Sequence, residues 1–504
     1  MRRKSKRKIT MKKYFTLFSA LLLMSVACTD TNEIVETPVV IDDPALTLND
    51  PINSFVWRGM NDVYYWQEDV PNLADSKKSV QDDYFKYLNG YSDPKNLFES
   101  LLFDKGNTDR FSGYIEDYNV KNESDRGVSD SFGFDFGLVR LCSTCDDILG
   151  FISYVVPDSP ASDAGLKRGN LFYTFNGTVL TMDNYQVVNG YYNDNNISMG
   201  FADLVDGEIV PNNSEIDLVL RIVVENPVFY SNVITNGQGT KIGYLVYNGF
   251  KNTYHEELNE VFTKFKAENV QELVLDLRYN GGGFLETTVN LASMIHAGAS
   301  TNDLFAKVKS NSKNSGENYT VAFNDQARIY SKEGYFNYTG IDLAISRLSS
   351  LSRLFVITSN GTASASEMII NGLSPFIDVI KVGTTTYGKN VGSYTVYDSA
   401  DFTINNVNPH HTIAMQPITF KIFNKLDQSD YTQGFAPDYE VIDYVSQMKD
   451  FGDTEETLLR ATLDIISGNV AKLSALKKPE IATEVIFRSV DKKPFSKELL
   501  VEPF

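Results

Sequence analysis

From about residue 226 onward, short apolar runs alternate with stretches of helical period. Ile242 to Tyr247 reads as a strand, and Thr253 to Glu268 carries Leu258, Val261, Phe262 and Phe265 at helical spacing. Leu273 to Leu277 reads as a buried strand, Glu286 to Ala297 as a helix, Leu354 to Thr358 as a strand and Ala365 to Phe376 as a helix. Strands that alternate with helices predict an α/β domain over 226–470, with a mainly parallel sheet covered on both sides. Residues 453–467 close it as a helix with Glu455 and Glu456 in the first turn.

A chain of 504 residues is too long for one ordinary core, and two further regions precede this domain. Residues 51–118 predict a small helical domain. Phe55, Val56, Met60, Val63 and Tyr64 repeat at helical spacing, and 82–88 and 94–102 suggest two more short helices. Residues 119–225 turn β-rich, with runs at Phe132 to Leu141, Leu149 to Val156, Leu171 to Phe175 and Ile216 to Val224. Among them, Ser159-Pro160-Ala161-Ser162-Asp163-Ala164-Gly165-Leu166-Lys167-Arg168-Gly169-Asn170 resembles the PDZ signature, with Asn170 in place of the usual Asp. That resemblance implies capture of protein C-termini by strand addition, with Phe132-Gly133-Phe134 as the carboxylate loop. The fold class is thus multidomain α/β: helical cap, PDZ-like β-rich domain and mainly parallel α/β domain. The tail, 471–504, is charged beyond Lys477 and receives no element.

Residues 1–13 hold eight Lys or Arg and no acid, and Tyr14 to Ala27 is apolar. A membrane span needs roughly 20 apolar residues, so 1–27 reads as a secretory signal. The sequence Ser25-Val26-Ala27-Cys28 resembles a bacterial lipoprotein signal, which implies lipidation of Cys28. Residues 28–50 follow as a polar linker. The expected location is therefore outside the cytoplasm, anchored to a bacterial envelope by the lipid alone. A net charge of -19 opposes nucleic-acid binding. Cys142 and Cys145 read as a local disulfide or two free thiols.

The chemistry concentrates in Ser359-Asn360-Gly361-Thr362-Ala363-Ser364-Ala365-Ser366-Glu367-Met368, between a predicted buried strand and a predicted helix. Small residues at such a junction put one side chain on a sharp turn at a sheet's C-terminal edge, where nucleophilic serines sit. Downstream lies Gly383-Thr384-Thr385-Thr386-Tyr387-Gly388-Lys389-Asn390. Together these segments resemble the S41 family, the carboxyl-terminal processing (tail-specific) proteases, whose lysine follows its serine by 25 residues, as Lys389 follows Ser364. Leu275 to Gly283 matches the family's "LDLR.NGGG" block, and Gly434 to Asp438 its "G..PD" element. The resemblance covers roughly residues 50 to 467.

The resemblance implies a Ser364–Lys389 dyad that cleaves proteins through an acyl-enzyme, without cofactor or metal. The oxyanion donors would be the N–H groups of Ala365 and of Gly281 or Gly282. Three positions depart from the family pattern: Ser393 stands where a Gln often orients the lysine, Asn390 replaces Gly, and Thr385 replaces Glu. Ser366 is a rival nucleophile, but only Ser364 has the spacing to Lys389. Asp276 and Arg278 read as structural, and Glu367 as a first-turn acid that favours the helix dipole. The four histidines lack triad order and metal-ligand spacing. The expected partners are protein or peptide substrates held by their C-termini. A competing reading is a catalytically weak PDZ adaptor that binds C-termini without cutting.

Overall fold

The computed structural model describes residues 47–206, 208–348, 351–475, 484–493 and 495–501. The predicted signal, Cys28 and most of the linker lie outside the described residues. The fold is mixed α/β with a helical N-terminal region and several sheets. The described strands of the central sheet run in the order 228–235, 241–247, 272–276, 353–358, 378–383 and 439–440. The first pairs antiparallel with the second, and every later pair is parallel.

Alternation of side chains along each strand builds two cores. Leu245, Leu273, Leu275, Leu354 and Val356 face one side and pack on the helices His255–Ala267, Leu285–Ile295 and Ala365–Leu373. Tyr244, Val274, Phe355, Ile357 and Val382 face the other and pack on Leu458, Leu459 and Ile465 of the helix Thr457–Ile466. Glu455 and Glu456 precede that last helix instead of lying in its first turn. Glu456 is its N-cap and accepts from Leu459 N at 2.9 Å.

The helices Pro51–Val63 and Pro94–Ser100 each begin with proline after an aspartate cap, Asp50 and Asp93. Their core is not built from 51–118 alone. Val396 and Met415 complete it, and the strand Gly113–Ile115 pairs with Ala414–Gln416. A second sheet orders strands 484–488, 134–140, 148–155, 171–175, 196–205 and 208–219, each antiparallel to the next. Pro160–Asp163 forms the short helix, capped by Ser159. The strand Asn196–Val205 has no counterpart in the sequence reading, because Asn, Ser, Gly and Asp dilute its β-propensity. The single run read at 216–224 is divided between the strands Glu208–Val219 and Arg221–Val224.

The tail carries structure as well. Glu484–Arg488 pairs with Phe134–Arg140, and Leu499–Leu500 runs parallel to Gly283–Phe284. Among the described residues, no helix is long and apolar enough to cross a membrane.

Candidate active site

The strand Arg353–Thr358 ends in a tight turn, and the helix Ala365–Leu373 starts immediately after Ser364. Three anchors hold this turn against the neighbouring strand end. Thr362 Oγ1 donates to Leu277 O at 2.8 Å, Ala363 N to Asn280 O at 3.1 Å, and Ser366 Oγ to Asn280 O at 3.0 Å. Ser364 sits at φ 62° and ψ -112°, a conformation that costs a non-glycine residue of order 1–3 kcal/mol and is found at nucleophile elbows. Its Oγ is buried and has no hydrogen-bond partner among the described residues. Ser366, by contrast, has its hydroxyl committed to Asn280.

Glu367 does far more than favour a dipole. Its Oε2 accepts from Ser364 N at 2.9 Å and from Lys389 N at 2.8 Å. Its Oε1 accepts from Thr386 Oγ1 at 2.6 Å and from Gly388 N at 2.7 Å. One buried carboxylate therefore clamps the serine turn to the lysine turn. Burial pushes its pKa up, and the four hydrogen bonds oppose that push. Thr386, Gly388 and Lys389 lie 19, 21 and 22 residues beyond Glu367, so only the turn that brings 386–389 back over the helix start reveals the clamp.

Lys389 is buried, and burial pushes its pKa down to about 8 against the opposing pull of the Glu498 and Asp109 carboxylates. Its Nζ donates to the Lys497 carbonyl at 2.7 Å and lies 4.9 Å from the centre of the Phe111 ring. Ser393 uses its backbone instead of its side chain here. Its N donates to Leu499 O at 2.9 Å and its carbonyl accepts from Val501 N at 3.1 Å. The acceptor for the Lys389 ammonium thus comes from the tail. Asn390 turns away to Ser429 O at 2.6 Å, and Thr385 is exposed.

The glycine block lies against the serine. Gly282 has φ 117°, and a side-chain carbon there would strike the Glu498 carbonyl and sit 2.9 Å from Ser364 Cβ and 3.0 Å from Ala365 N. Only glycine fits that approach. Gly282 N donates to Asn280 Oδ1 at 2.9 Å, so it is already committed. The N–H that meets a peptide carbonyl in this block is that of Gly283, 2.7 Å from Glu498 O.

Residues 241–441 match the model of Peptidase family S41, and residues 51–113 match the Peptidase S41 N-terminal domain. This chain belongs to peptidase family S41. It is 27% identical over 262 residues to a C-terminal processing peptidase, chloroplastic, of Tetradesmus obliquus, covering 49% of this chain and 48% of that one. It is 22% identical over 333 residues to a CtpA-like serine protease of Staphylococcus aureus (strain MRSA252), covering 64% of this chain and 57% of that one. The chain thus spans about half the length of the curated relatives it matches. A crystal structure from Bacteroides fragilis NCTC 9343, assigned to the S41 proteases, superposes with a TM-score of 0.63 at 27% identity, covering 84% of this chain and 99% of that one.

Other residues of this S41 chain have structural partners. Arg278 pairs with Asp276 at 2.7 Å and with Glu456 at 2.7 Å inside the core. His255 is buried, with Nδ1 2.7 Å from Arg328 O and Nε2 2.8 Å from Thr287 Oγ1, so both ring nitrogens are used. His296 caps a helix instead of lying within one, and His411 lies 3.2 Å from Asp398. Cys142 and Cys145 form a disulfide. Gly133, at φ 82°, gives its N–H to Ser131 Oγ at 2.9 Å, and Phe132 and Phe134 are buried. Among the described residues, no group of three or more His, Cys, Asp or Glu side chains is disposed to hold a metal ion.

Proposed function

We propose that this S41 chain is a serine endopeptidase whose nucleophile is Ser364 and whose general base is Lys389. The observation that carries the reading is the Glu367 clamp. One carboxylate oxygen binds the backbone of both residues, so a strained serine and a lysine that burial renders easily deprotonated are held together. Neutral Lys389 takes the Ser364 Oγ proton as the oxygen attacks a peptide carbonyl. The Ala365 N–H and an N–H of the Gly281–Gly283 block hold the oxyanion, and Gly283 is the glycine best supported as the second donor. Lys389 then protonates the leaving amine, and water releases the acyl-enzyme.

The region 119–225 acts in this reading as a PDZ-like module that recruits C-termini near Phe132-Gly133-Phe134, beside the S41 catalytic domain of 226–470. Substrates are exported or unfolded proteins. Residues 1–27 direct export, and Cys28 carries the lipid that anchors the enzyme to the envelope, with 28–50 as tether.

The test is digestion of an unfolded protein with an apolar C-terminus by the chain from Thr29, alongside Ser364→Ala and Lys389→Ala. Cleavage by the parent that disappears in both variants is expected. Cleavage that survives Lys389→Ala sinks the dyad. Retained binding of C-terminal peptides without any cleavage favours the adaptor reading.

A further inference from the structure

Two surfaces that a substrate would use in the proposed peptidase are filled by one segment of the chain itself. Glu484 to Arg488 lies antiparallel along the strand Phe134–Arg140, with Arg488 opposite Gly137. The segment then continues towards the Phe132-Gly133-Phe134 loop, and Ser489 Oγ exchanges hydrogen bonds of 2.9 Å with both Phe136 N and Phe136 O. This is strand addition to a sheet edge, the way an extended peptide is captured by its backbone.

Residues 496–501 then cross the active site. Glu498 N donates to Gly281 O at 3.1 Å and Glu498 O accepts from Gly283 N at 2.7 Å. On the opposite side, Leu499 O and Val501 N pair with Ser393 at 2.9 and 3.1 Å. The tail is thus an extended strand gripped on both edges by backbone groups, a grip that takes little account of side chains. The Lys497 carbonyl occupies the ammonium of Lys389. The Glu498 carbonyl enters the small space beside Gly282 that Ser364 Cβ and Ala365 N also border. A substrate carbonyl attacked by Ser364 needs that same space, so tail and substrate exclude one another.

We propose that residues 484–493 and 495–501 are a tethered, substrate-like occupant of this enzyme's own peptide path, and that the path takes an extended segment with an acidic residue followed by two aliphatic ones. The inference rests on the Ser364–Lys389 reading for what the path does, and on the strand pairing alone for what it binds. The side-chain preference follows from the occupant. Glu498 Oε2 lies 3.2 Å from the ammonium of the buried Lys121. Leu499 and Leu500 are buried, Leu499 within the catalytic core. Lys121 already pairs with Asp125 on its own helix, and a carboxylate at the Glu498 position gives this buried ammonium a second anionic partner. The tail strand must leave, or be displaced by a segment of the same pattern, before another chain is cut.

The experiment uses the chain from Thr29 to Phe504 with and without Leu499→Asp together with Leu500→Asp, which sets two carboxylates in apolar surroundings and expels the tail. Both are made on the Ser364→Ala background, and a fluorescent peptide of residues 484–501 is titrated by anisotropy, a readout that needs no catalysis. Binding about tenfold tighter to the tail-substituted chain, about 1.4 kcal/mol, is expected. A peptide whose Glu498 equivalent is Lys should lose that gain. With Ser364 restored, the tail substitutions should speed labelling by a fluorophosphonate about tenfold, and added peptide should reverse the effect. The proposal is overturned if the folded tail variant binds the peptide no better than the parent. It is equally overturned if the substitutions abolish cooperative unfolding, because the tail is then permanent scaffold. Tighter peptide binding without labelling of any form would uphold the occupied path while the dyad reading fails.

Discussion

Whether Lys389 can serve as a base depends on which way its surroundings move its proton affinity. A lysine in water titrates near about 10.4 and is charged at neutral pH. Burial here lowers that value to about 8, so the neutral, proton-accepting form becomes accessible in mildly alkaline solution. Cleavage should therefore climb as pH rises through about 8 and then level off, because the active form is the deprotonated one. A rate that falls across that interval would contradict a lysine base, and a pH–rate profile of kcat/KM decides it. Lys389→Arg keeps the charge but replaces it with a guanidinium that does not deprotonate, so labelling of Ser364 should be abolished. Glu367 makes a different prediction. Glu367→Gln turns one acceptor oxygen into a donor NH2, which then faces either the Ser364 and Lys389 N–H groups or the Thr386 hydroxyl and the Gly388 N–H, all of which need acceptors. If Ser364 and Lys389 are the proposed dyad, kcat should fall by roughly 10- to 100-fold, about 1.4–2.8 kcal/mol, with KM little changed, since the clamp holds the backbone of those two residues. A fall in kcat/KM that comes entirely from KM would show that Glu367 acts on binding instead.

At the scale of single elements, the turn around Gly282 is where backbone freedom is required. Gly282→Ala adds a carbon at φ 117° that meets Ser364 Cβ and the Glu498 carbonyl. The strain should cost about 1–3 kcal/mol and lower the melting temperature, and fluorophosphonate labelling should be lost with it. Labelling at the parent rate would mean that the loop relaxes away from the serine. The sequence revealed much of this region. The strand-and-helix alternation of 241–373 is visible because each element is long enough to display its own period, and the elbow is visible because small residues crowd a strand-to-helix junction. The Ser364-to-Lys389 spacing is local enough to read. What was not legible depends on contacts distant in sequence. Nothing in Glu498-Leu499-Leu500-Val501 reveals that its partners are Gly281–Phe284 and Ser393. Likewise Val396 and Met415 are needed to close the helical core over 51–101, so a boundary drawn at 118 follows composition and not packing.

Across the whole molecule, the described residues from Thr47 onward form one compact unit, although their sequence changes character twice. A buried ion network accounts for part of this union. Arg168, from the PDZ-like signature, donates to Ser153 O at 2.8 Å within its own sheet region. It also reaches Tyr279 OH at 2.7 Å, Asp443 at 2.7 Å and Lys449 O at 2.9 Å in the α/β region. Arg278 binds the same Asp443 at 3.0 Å and holds Glu456, so two arginines and their carboxylates share one largely buried site. Removing one partner from such a site leaves charge without compensation, which typically costs about 3–5 kcal/mol. Arg168→Met keeps most of the side chain's volume, so the loss is electrostatic and not a cavity. We expect the parent to unfold in a single calorimetric transition, and Arg168→Met to unfold in two, with the β-rich region of 128–224 melting first. The tail strand 484–488 lies on that region's sheet, so its amides should lose hydrogen-exchange protection in the same early step. A single transition at an unchanged temperature in Arg168→Met would mean that the remaining contacts, among them the Tyr154 ring tilted against Tyr279 at 5.8 Å, suffice to hold the two regions as one.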